Sequence, residues 1–110
     1  MKGAAMEITL GPISAIPPGE GRAFAVGEER IAVFVARDGR VFATQATCPH
    51  RGGPLADGLL GGCTLICPLH TQKFDVETGE ALSGGPGLRT YPVRVSATDQ
   101  ILVRIERDGG

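Results

Sequence analysis

The chain has no tryptophan, one tyrosine and four phenylalanines in 110 residues. An interior so short of large rings must be filled mainly by Val, Ile, Leu and Ala, and a chain of this length supports one modest core. Charge of one sign is also lacking, since 11 Lys and Arg stand against 12 Asp and Glu. That balance leaves no electrostatic footprint for nucleic acid or for an anionic membrane surface. No apolar run approaches membrane-spanning length, and Met1-Lys2-Gly3-Ala4-Ala5-Met6-Glu7 lacks the apolar stretch of a signal peptide, so the expected location is cytoplasmic. Cysteine is sparse, with three in the chain. In a reducing compartment an odd number of thiols is poor material for disulfides, which turns attention to metal binding or catalysis.

Glycine and proline are plentiful, with 17 and 8 residues respectively, and they leave no window for a long amphipathic helix. Between them, short runs read as strands by their apolar and polar alternation: Glu7 to Leu10, Arg22 to Val26, Ile31 to Ala36, Val41 to Ala46, Tyr91 to Ser96 and Ile101 to Glu106. Arg37-Asp38-Gly39-Arg40 places an Asp-Gly pair between two of these runs, which predicts a tight antiparallel hairpin. The expected fold is therefore all-β, an antiparallel sandwich or barrel, in one domain over 1–110. Three segments break the strand pattern. They are the glycine-rich stretch from Thr47 to Gly62, the short Cys67-Pro68-Leu69-His70, and Ser83-Gly84-Gly85-Pro86-Gly87. Irregular loops on a rigid sheet often carry function.

Both histidines of the protein lie in those loops, each just downstream of a cysteine, in Cys48-Pro49-His50 and Cys67-Pro68-Leu69-His70. A thiolate and an imidazole so close in sequence converge on one centre only if the backbone between them turns sharply, and Pro49 and Pro68 restrict it there. Two such half-sites invite one shared ligand. Two thiolates and two imidazoles would complete a tetrahedral zinc site, although zinc fingers and ribbons usually open with cysteines two to four residues apart, not with Cys-x-His. A zinc-binding interaction module therefore stays open as an alternative, as do buried cysteines and satisfied histidines with no ligand at all.

The segment Cys48-Pro49-His50-Arg51-Gly52-Gly53-Pro54-Leu55-Ala56-Asp57-Gly58, followed by Cys67-Pro68-Leu69-His70, Lys73-Phe74-Asp75, Thr78-Gly79 and Tyr91-Pro92-Val93, closely resembles the Rieske ferredoxin family. The resemblance runs from about Ile31 to Ile105, and it implies a cluster-binding subdomain at about 47–87 that holds one [2Fe–2S] cluster. It implies that Cys48 and Cys67 bind one iron and His50 and His70 the other. Two neutral imidazoles in place of two thiolates make such a cluster less negative than an all-cysteine one and easier to reduce. High-potential members of the family carry a disulfide between the cluster loops and hydroxyl side chains on the cluster. The matching positions here are Gly53 and Leu69 for the disulfide, and Gln72 and Phe74 for the hydroxyls, which implies a potential low in the Rieske range. Thr71 departs from the family pattern, where Gly is common after the second histidine. Around the histidines, Pro49, Leu55, Leu69 and Pro86 read as an apolar rim and Arg51 and Lys73 as charged contacts to a partner, with loop-packing residues and ordinary solvated charges as the equal alternative.

No histidine is left over for a nucleophile-and-base pair or a second metal site, so an electron relay is expected, not an enzyme. Two relays fit the resemblance. One is the ferredoxin component passing single electrons from a flavin reductase to a terminal oxygenase. The other is the small subunit beside the large subunit of an NADH-dependent assimilatory nitrite reductase, whose sequences resemble Gly87-Leu88-Arg89-Thr90-Tyr91-Pro92-Val93-Arg94-Val95. Cys63 lies outside the motif and reads as a small apolar residue entering a strand, with a redox-sensing thiol as the alternative.

Overall fold

The computed structural model describes residues 5–49, 52–68 and 72–106. Its strands are β1 (Ala5–Pro12), β2 (Glu20–Val26), β3 (Glu29–Val35), β4 (Val41–Gln45), β5 (Leu59–Gly61), β6 (Thr64–Ile66), β7 (Lys73–Asp75), β8 (Thr90–Tyr91), β9 (Val93–Val95) and β10 (Gln100–Glu106). They form three antiparallel sheets, ordered β1-β10-β9, β2-β3-β4-β8 and β5-β6-β7. The all-β expectation holds.

Strand β3 organises the whole. From Ile31 to its end at Val35, and on through the adjoining Ala36, it contains no polar residue at all. Alternation was the wrong description of this run, because both faces of the strand are buried. Ile31, Val33 and Val35 point to one side, where they meet Ile101, Val103 and Ile105 of β10 and Ile16. Ala32, Phe34 and Ala36 point to the other, where they meet Leu55, Leu65, Phe74, Val76, Leu88, Cys48 and Cys67. One central strand thus separates an aliphatic core from a core that contains the two motif cysteines.

The Asp-Gly hairpin forms as expected. Val35 pairs with Val41, Gly39 has φ +94°, and the Asp38 carboxylate accepts the Arg40 N–H at 3.0 Å and its guanidinium at 2.8 Å. The Arg40 N–H bond, helped by the guanidinium one, holds the Asp38 carboxyl below its ordinary pKa.

Two further expectations need correction. Tyr91 to Ser96 is not one strand, because Pro92 lacks the N–H that a continued ladder requires. The chain breaks there, β8 pairing with β4 and β9 with β10, so Pro92 passes the chain from one large sheet to the other. The glycine-rich stretch from Thr47 to Gly62 is not wholly loop either. Leu59–Gly61 is strand β5, paired with β6 and turned by Gly62 at φ +60°, because Leu60 is drawn into the core at 9% exposure.

Candidate metal centre

The two cysteine loops close in the same way. Thr47 pairs with Pro54 across the first and Ile66 with Lys73 across the second, so residues 48–53 and 67–72 are bracketed alike with a cysteine first in each. In the first loop the Cys48 N–H donates to the Gly53 carbonyl at 2.8 Å. In the second the Cys67 N–H donates to the Gln72 carbonyl, also at 2.8 Å. The first is tightened further by the Gly52 N–H donating to the Cys48 carbonyl at 2.7 Å, with Gly52 at φ +72°.

Sequence spacing alone shows two Cys-Pro steps; the structure shows two loops whose bases are built to one plan. Cys48 and Cys67 are 2% and 1% exposed and belong to a single buried cluster with Phe34, Leu55, Leu65 and Phe74. None of the cysteines is joined in a disulfide. Two fixed, desolvated thiols facing a common interior suit soft metal ions, for which thiolate is the preferred ligand. The expected histidine ligands His50 and His70, together with Arg51, Leu69 and Thr71, lie outside the described residues. Among the described residues no three His, Cys, Asp or Glu side chains gather as a metal site.

The third loop, 83–87, is pinned against the second. The Leu82 N–H donates to the Lys73 carbonyl at 2.8 Å and the Lys73 N–H to the Ser83 hydroxyl at 3.1 Å, so both polar groups of one residue hold the loop's entrance. Its exit is held where Gly79 and Gly87 cross. The Leu88 N–H donates to the Gly79 carbonyl at 2.7 Å. A Cβ on Gly79, whose φ is +84°, would strike the Leu88 carbonyl, and one on Gly87 would strike that of Gly79. Backbone packs on backbone there, and only glycine permits it.

A further clamp was not legible in the sequence. Gln45, the last residue of β4, donates its N–H to the Arg89 carbonyl at 2.9 Å and accepts the Arg89 N–H on Oε1 at 2.7 Å. Its Nε2 donates to the Thr47 carbonyl at 2.8 Å. One side chain thereby ties the entrance of the first cysteine loop to the chain leaving the third. A glutamine ending a strand beside a motif was the only available signal. Next to it, the Tyr91 hydroxyl donates to Glu29 Oε1 at 2.8 Å. Burial, reinforced by that carboxylate, pushes the Tyr91 hydroxyl above its ordinary pKa.

The expected apolar rim changes in one member. Leu55 is 0% exposed and belongs to the core, because the short 3-10 turn Leu55–Asp57 folds it under the loop. Pro49, Pro86 and Lys73 are exposed, as a contact surface requires. Cys63 stands in the turn before β6, packed beside the cysteine-bearing core, with its Sγ 3.9 Å from Glu77 Oε1.

A family model described as the Rieske [2Fe–2S] domain matches residues 7–98. The biphenyl dioxygenase ferredoxin subunit of Pseudomonas sp. strain KKS102 is 37% identical over 98 residues, covering 86% of this chain and 88% of that one. The ferredoxin of carbazole 1,9a-dioxygenase from Nocardioides aromaticivorans IC177 superposes with a TM-score of 0.79 at 30% identity, covering 89% and 96% of the two chains. A protein assigned as an NADH-dependent nitrite reductase small subunit from Mycobacterium tuberculosis superposes with a TM-score of 0.85, over 93% and 96%. At 24% identity, that last likeness is one of fold.

Proposed function

Since the chain belongs to the Rieske [2Fe–2S] domain family, whose cofactor is the [2Fe–2S] cluster, we propose that Cys48, His50, Cys67 and His70 hold that cluster and that the protein is the cytoplasmic ferredoxin component of a ring-hydroxylating oxygenase system. The observation that carries the ligand assignment is the matched pair of loops, each opening on a buried cysteine whose N–H is tied to the sixth residue. Each loop then contributes one histidine from within its bracket, His50 or His70. The residues present fit the group: two buried thiols in one cluster supply the soft ligands, and the sequence places an imidazole two or three positions after each. When bound, the cluster supplies one-electron transfer, and the protein's part is to fix the ligands, exclude water and meet partners.

The oxygenase reading rests on sequence identity. The dioxygenase ferredoxins stand at 37% and 30%, against 24% for the nitrite reductase small subunit. On this reading a flavin reductase is the donor and a terminal oxygenase the acceptor. Protein purified without oxygen is expected to be red-brown with stoichiometric acid-labile sulfide, and His50→Ala or His70→Ala to remove the colour. Colourless protein with stoichiometric zinc, or normal absorbance in both histidine variants, refutes the ligand set. Recovery of a sirohaem reductase on purification from native cells, in place of a non-haem iron oxygenase, refutes the oxygenase assignment.

The potential follows from the surroundings of the loops. Gly53 spends its carbonyl on Cys48 and has no thiol to offer, and Phe74 lies in the core at 1% exposure with no hydroxyl. With fewer hydrogen bonds to stabilise the added electron, the midpoint is expected at about −150 to 0 mV. Redox titration followed by visible absorbance checks it, and a value well above zero removes this account.

A further inference from the structure

The small sheet sorts its side chains into transverse rows. Leu60 pairs with Leu65 and Leu65 with Phe74, and Phe74 is bridged to Ala81. This row faces inward, the first three members being 9%, 0% and 1% exposed. The rows on either side of it must face outward. The one nearer Cys67 runs Leu59, Ile66, Lys73, and then Leu82, whose N–H bonds the Lys73 carbonyl. The one farther away runs Gly61, Thr64, Asp75, and then Glu80, whose carbonyl accepts the Asp75 N–H.

The two outward rows differ in chemistry. The near row has Leu59 at 73% and Leu82 at 49% exposure, two of the large hydrophobic residues most exposed in the described structure, on either side of Ile66 and the ammonium of Lys73. The far row is polar and acidic. Solvated leucines scattered singly need no explanation, but a cross-strand row of them beside a cofactor loop does. At about 5 Å per cross-strand step the row is roughly 15 Å long. Ile66 immediately precedes Cys67, and Lys73 immediately follows the residue that bonds the Cys67 N–H, so the middle of the row sits at the base of the second cysteine loop.

We propose that the Leu59–Ile66–Lys73–Leu82 row is a docking surface for a redox protein whose contact face is apolar and carries a carboxylate opposite Lys73. Size argues against a second copy of this chain, since three aliphatic side chains cover a few hundred Å² at most on this side, short of the roughly 600 Å² per partner of the smallest stable interfaces and in the range of electron-transfer encounters. Charge argues for the direction of approach. A carboxylate drawn to Lys73 is repelled by Asp75 and Glu80 behind it, so the partner is pushed toward the cysteine loops and kept off the far end of the sheet. A contact of this size dissociates readily, as a relay that must meet a donor and an acceptor in turn requires.

The proposal rests on the ferredoxin reading, and the experiment separates the two. Cluster-loaded wild type, the double variant Leu59→Ser with Leu82→Ser, and Lys73→Glu are placed between the purified flavin reductase and terminal oxygenase of the biphenyl dioxygenase system of Pseudomonas sp. strain KKS102. Absorbance is recorded first and is expected to match wild type in all variants, and the midpoint potential is expected to match in the double leucine variant, which changes no charge. The ferredoxin concentration for half-maximal electron flow is expected to rise at least tenfold in the double variant at one or both steps, with the maximal rate little changed. Lys73→Glu is expected to weaken the same step and to reverse its salt dependence. Variants with intact spectra that match wild type at both steps overturn the docking surface. So does a wild-type dimer in sedimentation that the double variant dissolves, which would place a second copy on the row. If cluster-loaded wild type carries no electrons between these components, the ferredoxin reading itself fails, and the proposal with it.

Discussion

The two cores of this protein sit on opposite faces of β3 and are built from different materials. On one side Ile31, Val33 and Val35 meet Ile101, Val103 and Ile105, all aliphatic, between strands of seven or eight residues. On the other side Ala32, Phe34 and Ala36 meet Leu65, Phe74 and two cysteines, beside strands of three residues and loops closed by a few backbone hydrogen bonds. The first core is made by the chain alone. The second places thiols where an ordinary domain would place methyl groups, and short strands leave little ladder to offset the entropy of ordering its loops. On the proposed ligand assignment, the aliphatic half is a scaffold and the cysteine half takes its order from what its loops bind.

Removing a ligand should break the comparison open most widely. Cys67→Ser is expected to abolish the visible absorbance and to lose amide protection in 47–87, while β1, β3 and β10 remain protected in hydrogen exchange. Equal loss of protection in both halves would show that the scaffold does not stand alone. Next in size, Ile31→Ala and Leu65→Ala should each cost about 2–5 kcal/mol, because each empties a fully buried site. Chemical denaturation measures that cost. Only Leu65→Ala should also hasten loss of the cluster to a chelator, since only it lines the cysteine-bearing core.

A smaller effect belongs to the backbone crossing. Gly79→Ala adds a Cβ against the Leu88 carbonyl at a positive φ and should cost about 1–3 kcal/mol, whereas Gly84→Ala, also at positive φ but with open space around it, should cost about 1 kcal/mol. Equal effects would mean that the crossing does not constrain the third loop.

The smallest belongs to Tyr91. Losing its bond to Glu29 in Tyr91→Phe should cost about 1 kcal/mol. Because folding raises the pKa of this hydroxyl, the folded state holds its proton more tightly than the unfolded one. That contribution is present in full below the ordinary tyrosine pKa of about 10 and is lost as pH rises through the folded value. The stability of wild type should therefore fall more steeply than that of Tyr91→Phe above about pH 10.

The all-β class, the Asp38-Gly39 hairpin and most strand positions were legible because alternation and turn chemistry are local signals. Strand β3 was located but its periodicity misread, because a strand covered on both faces has no polar residues to mark a period. The short strands β5, β6 and β7 were not legible. Three residues carry no periodicity, and Leu59, Leu60 and Gly61 acquire their alternation only from the partner strand. At the site, Cys48 and Cys67 stood out by spacing and fall into one buried cluster, whereas Leu55 was read as rim and is core, since nothing in Pro54-Leu55-Ala56 reveals the turn that folds it inward. Gln45 was invisible because its role is made by Arg89, 44 residues away.

That glutamine has a kinetic consequence. The amide of Gln45 holds Thr47 with one end and Arg89 with the other, so the segment entering the first loop and the segment leaving the third share one fastener. Release of either segment frees the amide that also holds the other, so their motions are coupled, and Gln45→Ala should speed amide exchange in both segments at once.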